Sequence, residues 1–253
     1  MSSEPRPQPA AEVLAFLLDV GTQMIAIGAE TYRVEETLER MGRALGAERV
    51  DVFATPPGLW LGVTVAGTQI TGLRRVKLRS FNLAPLAELN ALSRDIAHGS
   101  LSLDKGWERL QLIRTAGSRT MALDLAAGAL GAAAFTAMLG GNSGGILLGA
   151  VLGVIIGVLR RVLRRQFVDR FIASFCGGLV CAVIGQAGPF VGSSAQTVAA
   201  GGLVILVPGL QFTNAVRDIL AGDLLSAAAL GIETMALALG LAGGVAAGLA
   251  LHL

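Results

Sequence analysis

Lysine is absent from this chain after Lys105, and from Arg119 onward only scattered charges interrupt long Gly- and Ala-rich apolar runs. Histidine is confined to His98 and His252. The protease-like stretch Gly141-Asn142-Ser143-Gly144-Gly145 therefore has no evident base for its serine, and a short turn between apolar segments accounts for its glycines. Cys176 and Cys181 lie in one apolar run at a spacing that puts them on different helix faces, with no second pair to complete a metal site. Both read as small packing residues. No Gly-x-x-x-x-Gly-Lys occurs, which removes the P-loop route to ATP. The net charge is only +2 and the basic residues interleave with acids (Glu35, Glu36, Glu39, Arg40), so no basic stripe points to nucleic acid. Neither a metal nor another cofactor is called for, and an enzyme is not expected.

What remains is an uneven hydrophobicity. The chain is 53% hydrophobic and 15% charged, too apolar for one soluble domain of 253 residues and too charged for a chain made only of membrane spans. Two regions are being averaged: residues 1–118 as a cytoplasmic α+β domain and residues 119–253 as a transmembrane helical domain. Residues 1–10 are polar and Pro-rich, and the following segment carries Glu12 and Asp19 within a helical apolar pattern. That pattern describes an amphipathic helix of the soluble domain, not a cleavable signal.

In the first region the spacing predicts a helix from Ala10 to Ile27 stopped by Gly28, and a second starting over Ala29–Arg33 and running to Leu45, stopped by Gly46. Val50–Ala54, Leu59–Val65 and Gln69–Leu78 read as strands of a small antiparallel meander, divided by Pro56-Pro57-Gly58 and Ala66-Gly67. Helices resume over Pro85–Ala97 and Ser102–Ile113.

The second region accommodates five spans, near 120–140, 144–160, 171–188, 194–212 and 224–250, at about 20 apolar residues each. The fourth is interrupted by Pro208-Gly209. Arg160, Arg161, Arg164, Arg165 and Arg170 separate the second span from the third against a single acid, Asp169, which places that connection in the cytoplasm and with it the N-terminus. Gly145, Gly149, Gly153 and Gly157 form one small-residue seam, and Gly240, Gly244 and Gly248 another. Such seams imply close helix packing, within a tight bundle or against a partner chain.

Charges at membrane depth are costly, about 2.5–3.5 kcal/mol for an Asp at a helix centre even on insertion scales. Glu233, ten residues into the fifth span, is accordingly the foremost candidate for a substrate or ion pathway, with Asp124, one turn into the first span, as a second. The run Val207–Asp218 is the most polar at that depth. A proline and a glycine there free backbone carbonyls that can line a cavity, so Pro208, Gly209, Thr213, Asn214, Arg217 and Asp218 join the candidates. A proline-kinked helix ending in an interfacial Arg217–Asp218 pair is the plainer alternative.

The stretch Gly28-Ala29-Glu30-Thr31-Tyr32-Arg33-Val34-Glu35-Glu36-Thr37-Leu38, followed by Thr55-Pro56, Arg74, Pro208-Gly209, Thr213-Asn214, Arg217-Asp218 and Gly222-Asp223, closely resembles the threonine/serine exporter (ThrE) family along nearly the whole chain. Within it the chain is similar to the split, YjjP-like type. The resemblance implies an exporter subunit in the bacterial inner membrane with a small-molecule substrate, either threonine and serine or a succinate-type dicarboxylate. It also implies a separate YjjB-like membrane subunit, with a homo-oligomer left open beside it. Secondary-active export needs ion coupling, for which Glu233 is a candidate proton carrier and Arg217 a candidate partner for a substrate carboxylate. Glu30, Thr31, Arg33 and Glu35 carry the resemblance in the cytoplasmic region; their spacing lets Thr31 share a helix face with Glu35, and Glu30 with Arg33. A helix start with surface ion pairs is the bland account of the same residues. A membrane scaffold or sensor whose soluble domain binds a ligand is the competing class.

Overall fold

The computed structural model describes residues 9–76, 83–115, 121–166 and 168–251. The expected boundary at 118/119, the end of the third strand at 77–78, and His252 lie outside them. In chain order the elements are α1 (Ala10–Ala26), α2 (Thr31–Ala44), β1 (Arg49–Thr55), β2 (Gly58–Val65), β3 (Thr68–Arg75), α3 (Leu83–Ala97), α4 (Leu103–Thr115), α5 (Met121–Met138), α6 (Ser143–Arg165), α7 (Arg170–Gly185), α8 (Ala195–Leu203), α9 (Gly209–Ala221) and α10 (Leu224–Ala250), with a 3-10 turn over Gly188–Val191. The fold is mostly helical with one three-stranded antiparallel sheet. Contacts gather it into two compact units: Met1–Gly117 with Leu210–Gly231, and Ser118–Gly209 with Ile232–Leu253. This grouping differs from the linear division read from hydropathy, because residues 210–231 join the N-terminal unit.

In the first unit, β2 pairs antiparallel with β1 and β3, with Leu61 opposite Val52 and Gly72. Ala66 and Gly67, both at positive φ, make the two-residue turn whose twist suits a hairpin. Alternation along β2 sends Leu59, Leu61, Val63 and Val65 inward, onto Phe16, Leu17 and Val20 of α1 and Val34, Leu38 and Met41 of α2. Phe16 meets Trp107 of α4 edge to face at 5.2 Å. At about 1.5–3 kcal/mol per fully buried large apolar side chain, this cluster is what holds the unit together.

Among the described residues of the second unit, α5, α6 and α10 are the three helices long and apolar enough to cross a membrane, and α7 is a shorter apolar helix of 16 residues. The expected fourth span is not one helix. α8 ends at Leu203, turns follow, and α9 begins only after Pro208, whose ring and missing N–H cannot continue the preceding helix. The expected arginine loop also contracts: α6 runs to Arg165, so Arg160, Arg161, Arg164 and Arg165 occupy its C-terminal turns, where cations complement the helix dipole.

Both glycine seams are used inside this unit. A Cβ added at Gly153 would strike the backbone of Gly128 and Ala129 in α5, and one at Gly149 the Thr136 side chain. Along α10, Gly240 and Gly244 face the backbone carbonyls of Phe171 and Phe175 in α7. Gly244→Val is expected to destabilise the protein by about 1–3 kcal/mol through overpacking. Gly231→Ala, where a Cβ meets nothing within 4 Å, should be neutral or stabilising by up to about 1 kcal/mol. Thermal unfolding of the two variants in detergent micelles separates these outcomes.

Candidate functional site

Two helix ends prepare the most polar buried locus of the first unit. α1 stops at Gly28, where φ is +88° and the N–H groups of Gly28 and Ala29 return to the carbonyls of Ile25 and Met24. α9 stops in the same way at Gly222, with φ +84° and the N–H groups of Gly222 and Asp223 bonded to Ile219 and Asp218 carbonyls. Left-handed backbone of this kind favours glycine. Asp223 then starts α10, its Oδ1 accepting the Ser226 N–H at 3.3 Å.

α9 is amphipathic in reverse. Gln211, Asn214, Ala215 and Asp218, spaced as one helix face, are buried. Leu210, Phe212, Val216, Ile219 and Leu220 are exposed, Leu220 at 82%, together with Thr213 and Arg217. The inward polar face meets the Gly28–Thr31 turn. Asn214 Nδ2 donates to the Gly28 carbonyl at 3.0 Å, and Arg217 Nη1 donates to Glu30 Oε1. Thr31 Oγ1 stands between two carboxyl groups, 2.6 Å from Asp223 Oδ2 and 3.2 Å from Asp218 Oδ1. Asp218 is fully buried, and its Oδ2 has no hydrogen-bond donor among the described residues.

The other residues of the 28–35 motif divide as their spacing predicts. Arg33 Nε pairs with Glu30 Oε2 at 2.7 Å. Glu35 is turned to the Thr31 side and accepts the Ala54 N–H at 2.8 Å, satisfying a donor on the free edge of β1. Ser226 Oγ reaches the Ala54 carbonyl at 3.5 Å.

The three inner acids differ in their neutralisation. Burial alone would raise Glu30, but hydrogen bonds from Arg217 and Tyr32 and the charges of Arg33 and Arg217 outweigh it and hold the carboxyl below its ordinary value. Burial raises Glu35, with the charges of Asp223 and Glu39 adding to it against the opposing Ala54 N–H. Burial pushes Asp218 up to about 6, the charges of Asp223 and Glu30 adding and the Thr31 hydroxyl opposing.

The remaining sequence candidates stand elsewhere. Glu233, in the second unit, is ion-paired with Arg170, the first residue of α7. It is the second residue of the part of α10 that belongs to that unit. Asp124 occupies the first turn of α5 and is exposed. Pro208 and Gly209 form the break before α9, and Thr213 lies on its exposed face. Sequence reasoning named Asp223 only among the residues that carry the family resemblance and left out Ser226, although an Asp three residues before a Ser at the head of an apolar run is a helix-start signal. It also missed the Arg170–Glu233 pairing, for which no sequence spacing gives a cue.

Apolar helices of crossing length mark a membrane protein. The chain belongs to the threonine/serine exporter family: the family model described as "Putative threonine/serine exporter" (ThrE) matches residues 15–252. Among curated proteins and solved structures there is no match. The family's members are exporters, not enzymes, and act on small molecules across a lipid bilayer.

Arg217→Ala removes one of the two guanidinium groups from Glu30. With Arg217 half exposed, the expected cost is about 1–2 kcal/mol, below that of breaking a fully buried pair. A carboxyl whose pKa is lowered on folding stabilises only while ionised. The difference between parent and variant should therefore be full at neutral pH and fade as pH falls below the ordinary carboxylate value of 4.5. Thermal unfolding in detergent at a series of pH values measures it.

Proposed function

We propose that this chain is one subunit of a secondary-active, proton-coupled exporter of small hydrophilic metabolites in the bacterial inner membrane. The observation that carries the reading is the joining of the family's 28–35 motif to the polar face of α9 by Asn214, Arg217, Asp218 and Asp223, in a chain whose family consists of exporters. A constellation that buries two acids, Glu30 and Asp218, and makes four specific contacts is costly for a surface that only anchors.

In this reading the N-terminal unit is cytoplasmic, where an exporter collects its substrate. The arginines at the end of α6 and start of α7 mark the same side of the bilayer. α5, α6, α7 and α10 cross, and α8 with the turns before Pro208 supplies a fifth, broken passage of the kind tolerated where backbone lines a cavity. Ile232–Ala250 of α10 spans about 28 Å at ~1.5 Å per residue, close to the hydrocarbon thickness. In this reading Glu233 stands near the cytoplasmic rim, beside Arg170. Arg217, with the half-helix that starts at Gly209, offers positive potential to a substrate carboxylate. The lipid bilayer covers the exposed apolar side chains of the crossing helices, and a YjjB-like membrane subunit completes the pathway, with self-association of this chain compatible with it.

A membrane sensor is the second reading, favoured by one observation. An open cleft of about 590 Å³ lies over the outer face of the sheet, lined by Phe53, Trp60, Leu73 and Gln69 among others, a size suited to a small ligand.

Export of labelled threonine, serine and succinate from cells carrying the chain with and without the YjjB-like subunit tests the proposal. Faster loss of at least one of the three is expected only with both subunits. Equal retention of all three with both subunits present in the membrane would sink the substrate assignment, and ligand binding over the sheet without flux would favour the sensor.

A further inference from the structure

Thr31 has one hydroxyl proton and two carboxyl neighbours. The nearer, Asp223 Oδ2 at 2.6 Å, also belongs to a group that caps α10 through its other oxygen, which accepts the Ser226 N–H. If Thr31 donates to Asp223, the hydroxyl oxygen faces Asp218 Oδ1 at 3.2 Å with lone pairs only. Two acceptors then oppose each other unless Asp218 brings a proton. The rest of its surroundings agree: the residue is fully buried, and Oδ2 has no donor among the described residues.

The charged groups around it are Glu30 on α2, Asp223 at the head of α10 and Arg217 on its own helix; Glu35 of α2 faces Asp223 in turn. Arg217 is engaged by Glu30, which leaves Asp218 among acids.

We propose that Asp218 is the proton-binding carboxyl of this protein, held as a carboxylic acid that donates to Thr31 while Asp223 stays ionised, and that exchange of this proton with water is the ion-coupling step. The second half rests on the exporter reading above; the first does not. In the step, the Asp218 O–H bond breaks, its electron pair stays on the carboxylate oxygen, and the proton passes to water. Because the carboxyl is sealed, water reaches it only when α9 parts from the Gly28–Thr31 turn, which breaks the Asn214–Gly28 hydrogen bond. Once ionised, Asp218 repels Asp223 and Glu30 and has no second proton with which to restore the Thr31 contact, so the parted arrangement persists until a proton returns. Proton occupancy and the joining of these two segments are thereby the same variable. Glu233 does not serve, since Arg170 already neutralises it.

Difference infrared spectra of the full chain in lipid, recorded as pH is stepped, read the assignment directly. A carboxylic-acid carbonyl band should titrate near pH 6, as burial of Asp218 requires. It should vanish in Asp218→Asn, whose amide keeps a donor toward Thr31, and persist in Glu233→Gln. Asp223→Asn removes a neighbouring negative charge and should lower the midpoint by on the order of one pH unit. A band that survives Asp218→Asn, or a midpoint indifferent to Asp223→Asn, overturns the assignment. For the coupling role, the pH dependence of export is measured in cells with both subunits: Asp218→Asn should flatten it, and an unchanged profile in that variant defeats the role. If the band behaves as described but the parent exports none of the tested metabolites, the proton site stands and the exporter reading fails.

Discussion

A carboxylate removed from water must be neutralised by a cation or by a proton, and the arrangement of polar groups in this protein follows from that constraint. Glu30 is held between Arg217 and Arg33. Glu233, on a helix that is otherwise apolar, is met by Arg170. Asp223 shares its charge with a helix start and with Thr31. Asp218 has no such cation and its Oδ2 has no donor among the described residues, and burial raises its pKa where the arginines lower that of Glu30. Fixed pairs resist a change of charge; a carboxyl neutralised by its own proton is changed by the solvent.

The reversed amphipathicity of α9 belongs to the same logic. A helix that turns Gln211, Asn214 and Asp218 inward and leaves Phe212, Ile219 and Leu220 outside is unstable in plain water, since it exposes what water expels and buries what water solvates. It becomes reasonable when the outer surroundings are themselves apolar. The segment lies in sequence between apolar helices, so an outward face of leucines and phenylalanine suits a bilayer surface. Its inner face can then be committed to the Gly28–Thr31 turn.

Much of this was legible before any coordinates. The helix stops at Gly28 and Gly46, the meander with its Ala66-Gly67 turn, and the two glycine seams all follow from local chemistry, and each occurs where the spacing predicts. Thr31 and Glu35 on one face of α2, with Glu30 and Arg33 paired on another, were readable from three- and four-residue offsets. The fate of residues 210–231 was not. Hydropathy measures how apolar a segment is, not which side of it faces the interior, so the first turn of α9, to Phe212, was counted as part of a membrane span. The partners of its polar face lie more than 180 residues away, at Gly28, Glu30 and Thr31, beyond the reach of any periodicity. The pairing of Glu233 with Arg170 was beyond that reach as well, since 63 residues separate the two.

That pairing bears on which acid is suited to carry a proton. A carboxyl at mid-bilayer would have to be neutral or paired at every stage, because the hydrocarbon tolerates its anion poorly. Pairing with an arginine solves the energetic problem by making the charge permanent, and a permanent charge is useless for coupling. Asp218 is buried in a site of the protein's own making, where the anion is disfavoured by burial, by neighbouring acids and by a missing donor. The difference between its two protonation states is then small enough for ordinary changes of pH to decide between them. A family motif placed on a soluble turn, 187 residues from the acid it meets, serves this balance by supplying one hydroxyl that can hold a single proton between two carboxyl groups.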